Sequence, residues 1–113
     1  MQDKETLEEF ALRKGYLLDY LTCGSPIFQV KDLYRFTSDS IELAHFVRED
    51  KIETLVDLCS GSGVIGLEIA GQKQVNNLFL VELQKDLADA SKCSAELNNS
   101  KTIIKVINKK FRR

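Results

Sequence analysis

The chain has little from which a metal centre or a covalent scaffold could be built. It contains three cysteines, Cys23, Cys59 and Cys93, in 113 residues, with a single histidine, His45. An odd cysteine count with no C-x-x-C pair argues against both a zinc site and a disulfide framework. It fits a reduced, cytoplasmic setting. There is one proline, Pro26. The N-terminus, MQDKETLEEF, is acidic and has no apolar core, so it does not read as a signal peptide. No apolar run approaches the roughly 20 residues that span a bilayer, so no membrane partner is expected. Repeats, low-complexity tracts and evident linkers are lacking too. The formal net charge is −1, so the chain as a whole makes no case for nucleic-acid binding.

What is present fits one soluble globular domain: 43% hydrophobic and 29% charged residues. The charge is uneven. Residues 101–113 carry six lysines and arginines and no acid. Such an end can meet a phosphate backbone, or it can simply be solvated.

The spacing of Leu7, Phe10, Ala11, Leu17, Leu18 and Leu21 predicts a helix weakened at Gly15, or two short ones. Short strands are expected at Ile27–Val30 and Leu33–Phe36. Asp39 precedes Glu42 by three residues, a capping-box spacing that would start a helix. From Thr54 onward the pattern alternates. Strands are expected at Thr54–Cys59, Asn77–Leu83 and Thr102–Ile107, and helices at Val64–Gly71 and Lys85–Leu97. A β-α-β-α-β order implies a parallel sheet with right-handed crossovers. The chain therefore divides into an N-terminal segment, 1–50, helical with short strands, and an α/β unit, 51–113.

The sequence between the first two elements of that unit carries the chemistry. Gly61-Ser62-Gly63-Val64-Ile65-Gly66 matches G-x-G-x-x-G with a strand before it and a helix after. In this reading Gly61 allows the tight turn, Gly63 lets a ligand approach the backbone, and Gly66 lets the helix pack on the strand. The helix start offers N–H groups to an anion. Glu82 follows Gly61 by 21 residues, the expected place for an acid on ribose hydroxyls. A nicotinamide dinucleotide would satisfy these features, and an oxidoreductase fragment is one alternative. Asp57, beside the turn, weighs against it, because a carboxylate there repels a pyrophosphate. S-adenosylmethionine instead brings a sulfonium and an ammonium that Asp57 can pair with. Asp57 can also be read as a plain turn or helix-capping carboxylate.

The stretches VDLCSGSGVIGL and LFLVELQ resemble motifs I and II of class I S-adenosylmethionine-dependent methyltransferases. The chain is most similar to the N-terminal half of bacterial enzymes that methylate an adenine amine in tRNA. Those share an F-x-x-D segment, here within YRFTSDSIELAHF, and a V-E-x-Q, here Val81-Glu82-Leu83-Gln84. Protein-glutamine methyltransferases share motif I and are a competing family. The resemblance covers about Leu17 to Ile107. It implies a Rossmann-like methyltransferase fold, cut short after about the third parallel strand. It implies S-adenosylmethionine as cofactor and tRNA as partner. Asp57 and the backbone of Cys59, Ser60, Gly61 and Gly63 would hold the methionine moiety. Glu82 would hold the ribose, and Leu83 would pack on the adenine. Phe36, Thr37 and Asp39 would lie near the cofactor. The family's Asn-Pro-Pro-Tyr motif is not in this sequence, and lysines stand where an acid usually follows the third strand. No catalytic residue is therefore assigned, and the 113-residue chain is expected to bind cofactor rather than to transfer methyl groups by itself. It would act as a non-catalytic binding fragment or as half of a split enzyme. The first strand would have a bare edge, which invites a second copy or a partner chain that completes the sheet.

Overall fold

The computed structural model describes residues 1–31, 33 and 38–109. The expected strand at Leu33–Phe36, and the expected roles of Phe36 and Thr37, fall largely or wholly outside the described residues.

The first helix, α1 (Leu7–Lys14), begins with a complete capping box. The Thr6 hydroxyl accepts from the Glu9 N–H at 3.1 Å, and the Glu9 carboxylate accepts from the Thr6 N–H at 3.3 Å. Gly15, at φ 75°, ends the helix in the left-handed conformation. Beyond Gly15 the structure departs from the expected second helix, because Leu17 and Leu18 lie in a strand. β1 (Tyr16–Tyr20) pairs antiparallel with β2 (Pro26–Val30), with Tyr16 opposite Val30 and Leu18 opposite Phe28. The leucines fit a helical period by sequence alone. A strand wins because the hairpin places Tyr16, Leu18 and Val30 around buried Phe28, Phe10 and Ala90. The rings of Phe10 and Phe28 meet edge-on, with centroids 5.1 Å apart.

Helix α2 (Ser38–His45) comes next. Asp39 sits inside its first turn rather than ahead of it, so the capping-box reading places the helix start two residues late. The α/β unit then runs through β3 (Lys51–Leu58), α3 (Val64–Gln72), β4 (Gln74–Val81), α4 (Lys85–Glu96) and β5 (Ile103–Ile107). The expected alternation is present. β3 and β4 start earlier than expected, at Lys51 and Gln74, because half-buried Ile52 and buried Val75 give their beginnings an inward side, while β5 starts one residue later, at Ile103. All pairing is parallel, in the order β3-β4-β5.

Both crossover helices pack on one face of this sheet. Leu78 and Leu80 of β4 point into it and are fully buried, beside Leu67 of α3 and with Ala95 of α4 packed against the same cluster. The N-terminal hairpin rests on the outside of α4, where the Phe28 N–H donates to Ser94 Oγ at 2.8 Å. On the other face, Val56 is 52% exposed, Leu58 59% and Ile103 61%. Among the described residues, β3 has no neighbour along its outer edge. No helix of the described residues is long and apolar enough to cross a membrane.

Candidate functional site

Three strand ends and one turn make the site. β3 stops because Cys59 takes φ 57°, which is unusual for a side chain with a Cβ. The chain is held there: the Ser60 N–H donates to the Val81 carbonyl at 2.9 Å, and the Gly63 N–H donates to the Ser60 carbonyl at 2.9 Å. Gly61 (φ 58°) and Gly63 (φ 87°) supply the remaining left-handed positions before α3.

Two carboxylates flank this turn. Asp57 Oδ2 accepts from the Gly66 N–H at 3.1 Å, so Asp57 caps α3. This bears out the capping reading of Asp57, and it leaves Oδ1 for a ligand. Burial raises the Asp57 pKa above the ordinary carboxylate value. The Gly66 N–H opposes that rise, and the nearby Glu82 charge adds to it. Glu82 is almost fully buried. Its Oε1 accepts from the Gly61 N–H at 2.8 Å and its Oε2 from the Gln84 N–H at 2.7 Å. A carboxylate offers about four acceptor positions, so each oxygen retains one.

A cavity of about 250 Å³ opens beside the turn. Asp57, Cys59, Ser60 and Gly61 line it, and Ser40 of α2 and Ile65 of α3 complete its walls. Among the described residues the buried Ser60 and Ser62 hydroxyls have no hydrogen-bond partner, which is costly unless something else supplies one. Of the other expected residues, Glu82 and Leu83 stand at the end of β4, outside that lining. Leu83 is 57% exposed and free to lie against a flat apolar ring. Gly63 also stays outside, and its glycine has a packing reason. A Cβ there would lie 2.9 Å from Leu80 Cδ1 and 3.3 Å from Leu67 Cδ1. The residue is glycine because the core is tight behind it. Gly66 performs the expected packing role, since a Cβ there would lie 2.7 Å from Leu80 Cδ2. A larger cavity, about 710 Å³, lies at the opposite end of the sheet. Its lining holds Lys73 and Lys101 but no carboxylate or histidine, so the carboxylate chemistry belongs to the smaller one.

Two groups escaped the sequence reading. Asn108, just past β5, donates from Nδ2 to the carbonyls of Glu82 and Leu83, each at 2.8 Å. Glu68, a lone acid in the apolar helix VIGLEIAGQ, is 0% exposed. It accepts from the Thr22 N–H at 3.1 Å, from the Thr22 hydroxyl, and from His45 Nε2 at 2.7 Å. Burial works against its ionisation, but the bonds from Thr22 and His45 outweigh this and hold its pKa below the ordinary value. Such a group stabilises the fold above its unfolded pKa of about 4.3 and loses that contribution as pH falls through the lower folded value. Glu68→Gln is therefore expected to cost about 1.5–3 kcal/mol near pH 7, the scale of hydrogen bonds to a charged group. The gap should close in acid below about pH 4. Urea unfolding across pH reads it; a difference that does not shrink as the pH is lowered through the acid range would refute the ionised assignment.

No protein-family model matches the chain, and no curated protein matches it in sequence. Solved structures do match in shape. The tRNA (uracil-54, C5)-methyltransferase of Pyrococcus abyssi, in complex with S-adenosyl-L-homocysteine, superposes with a TM-score of 0.61 at 18% identity, over 83% of this chain and 24% of that one. YjhP from E. coli superposes with a TM-score of 0.57 at 18% identity, over 70% of this chain and 33% of that one. The chain thus spans about a quarter to a third of the length of these structures. Identity this low speaks to fold alone, and the fold is an α/β, Rossmann-like one shared with these two structures.

Proposed function

We propose that this chain is the S-adenosylmethionine-binding portion of a methyltransferase. The observation that carries the reading is the pair of strand-end carboxylates, Asp57 and Glu82, set around the left-handed Cys59–Gly63 turn. The fold shared with a methyltransferase that was crystallised with S-adenosylhomocysteine supports it. Asp57 Oδ1 would take the cofactor's ammonium, and the buried Ser60 and Ser62 hydroxyls fit its carboxylate. The remaining acceptor positions of Glu82 suit ribose hydroxyls, and exposed Leu83 suits the adenine. When bound, the cofactor supplies a sulfonium methyl for in-line displacement by a nucleophile. This chain's residues bind and orient it. A dinucleotide suits the site less well, because its pyrophosphate would meet the carboxylate that already occupies the Gly66 N–H.

An adenine amine in tRNA is the acceptor we favour. The F-x-x-D and V-E-x-Q segments support it, as does the run of basic residues after β5, in the reducing cytoplasm that three free cysteines suit. The edge of β3 that no described residue pairs with, beside exposed Val56 and Leu58, is where a second copy or a partner chain would join the sheet.

The carboxylate at position 57 provides the test. Its folded pKa lies above the unfolded value, so its ionised form detracts from stability as pH rises through the folded value. Asp57→Asn is expected to melt no lower than the wild type near pH 7. Yet it should weaken S-adenosylhomocysteine binding by about 1.5–3 kcal/mol, the scale of a lost charged hydrogen bond. Wild-type affinity should also fall in mild acid as Asp57 gains a proton. Calorimetry on the folded protein measures both. Stabilisation by NADH but not by S-adenosylhomocysteine would sink the proposal.

A further inference from the structure

The buried carboxylate on α3 and the cavity beside the turn share a helix, and α2 connects them. Ser40, near the start of α2, is buried and forms one wall of the cavity. His45 ends the same helix and meets Glu68 at 2.7 Å. Between them, α2 has only a thin apolar anchor. Ala44 is buried, and Ile41 and Val47 pack partly against the core. Leu43 on it is 56% exposed, and Phe46, in the turn just past its end, is 78% exposed. A helix of eight residues is too short to hold its place by its own backbone bonds.

Glu68 is itself held rigidly. It rides on α3, whose first turn borders the cofactor turn. The Thr22 backbone N–H and hydroxyl fix its carboxylate from the β1–β2 loop. The Thr22 hydroxyl in turn accepts from Gln72 Nε2 at 2.6 Å, at the far end of α3. An ionised carboxylate only accepts, so His45 Nε2 must carry the hydrogen of the bond to it. The bond therefore has a fixed direction, from α2 to α3.

We propose that Glu68 and His45 are positioning residues for the cofactor cavity. Their bond clamps α2 against α3 and so keeps Ser40 in place as the cavity wall. Neither side chain lines that cavity. The proposal rests on the cofactor reading for its consequence in binding, but not for the clamp itself.

Two measurements separate these. In a Ser40→Cys background, thiol labelling with mass mapping of the labelled sites reads how often the wall opens. Cys93 of α4, partly buried and outside this cluster, reports local access elsewhere in the folded chain. His45→Leu is expected to raise labelling at position 40 by about tenfold, the low end of what one hydrogen bond to a charged group carries. Labelling at Cys93 should not change. His45→Gln, whose amide N–H can reach the same carboxylate, should restore protection. In the otherwise native chain, His45→Leu should weaken S-adenosylhomocysteine binding by a comparable factor, and His45→Gln should restore it. An unchanged rate at position 40, or an equal rise at Cys93, overturns the clamp. Faster labelling with undiminished affinity overturns the positioning role. If the wild-type chain fails to bind S-adenosylhomocysteine, the cofactor reading falls, and the labelling rates still decide the clamp.

Discussion

Gly63→Ala is expected to lower the free energy of unfolding by about 2–5 kcal/mol. Two costs combine. At φ 87° an alanine sits in the left-handed region, which carries a penalty of roughly 1–2 kcal/mol. Its Cβ would also lie 2.9 Å from Leu80 Cδ1 and 3.3 Å from both Leu67 Cδ1 and Ser91 Cβ. Leu67 and Leu80 are fully buried, so they cannot swing into solvent, and overpacking of this kind costs about 1–3 kcal/mol. The neighbouring glycines provide controls. A Cβ at Gly61 (φ 58°) meets nothing within 4 Å, so Gly61→Ala should incur the backbone cost alone. Gly66 lies in α3, where alanine gains about 1 kcal/mol over glycine. That gain partly offsets its contact with Leu80, so Gly66→Ala should fall between neutral and moderately destabilising. Urea titration of the three variants orders them. Gly63→Ala within about 1 kcal/mol of the wild type would mean that the core behind the turn is looser than described.

Glu82→Ala should differ in kind from the change at Asp57, losing stability as well as affinity. Each oxygen of Glu82 satisfies a backbone N–H, one from Gly61 and one from Gln84. Removing the carboxylate strands two donors at a site that is only 6% exposed. The expected loss is about 2–4 kcal/mol of folding stability. Affinity for S-adenosylhomocysteine should fall as well, because the Gly61 turn loses its tether. Glu82→Gln keeps one oxygen and should recover part of the stability. Thermal melts paired with calorimetry make the comparison. A Glu82→Ala protein as stable as the wild type would show that the carboxylate is not structural.

These contrasts mark how far the sequence was readable. The order of strands and helices after residue 50, the glycine turn and the two strand-end acids were all legible. Each depends on residues close in the chain: an apolar run, a glycine spacing, an acid where the run stops. Leu17 and Leu18 misled because a leucine pair fits a helix or a strand equally well, and only pairing with Gln29 and Phe28 decides. The need for glycine at position 63 was visible, but its packing reason was not. The atoms that enforce it belong to Leu80, on the next strand. Glu68 was overlooked for the same reason. Its partners Thr22 and His45 lie 46 and 23 residues away, and neither spacing belongs to any local pattern. Asn108 was passed over, since nothing beside it in sequence hints at the carbonyls it bridges.

The bonds at the strand ends form a continuous run. Ser60 is tied to Val81, Gly61 to the Glu82 side chain, the Glu82 N–H to the Ile107 carbonyl at 2.9 Å, and Asn108 back to Glu82 and Leu83. The conformational entropy of this turn is therefore surrendered when the chain folds. Fixing one residue's backbone costs about 1–2 kcal/mol, and for the five residues from Cys59 to Gly63 that cost falls on folding rather than on binding. A ligand that docks here finds its contacts already ordered, and little of its interaction energy is lost to arranging them. The chain's modest network of polar bonds thus acts as a store of preorganisation. Its loss in a variant would surface as weaker, more entropically opposed binding even where every contacting atom is retained.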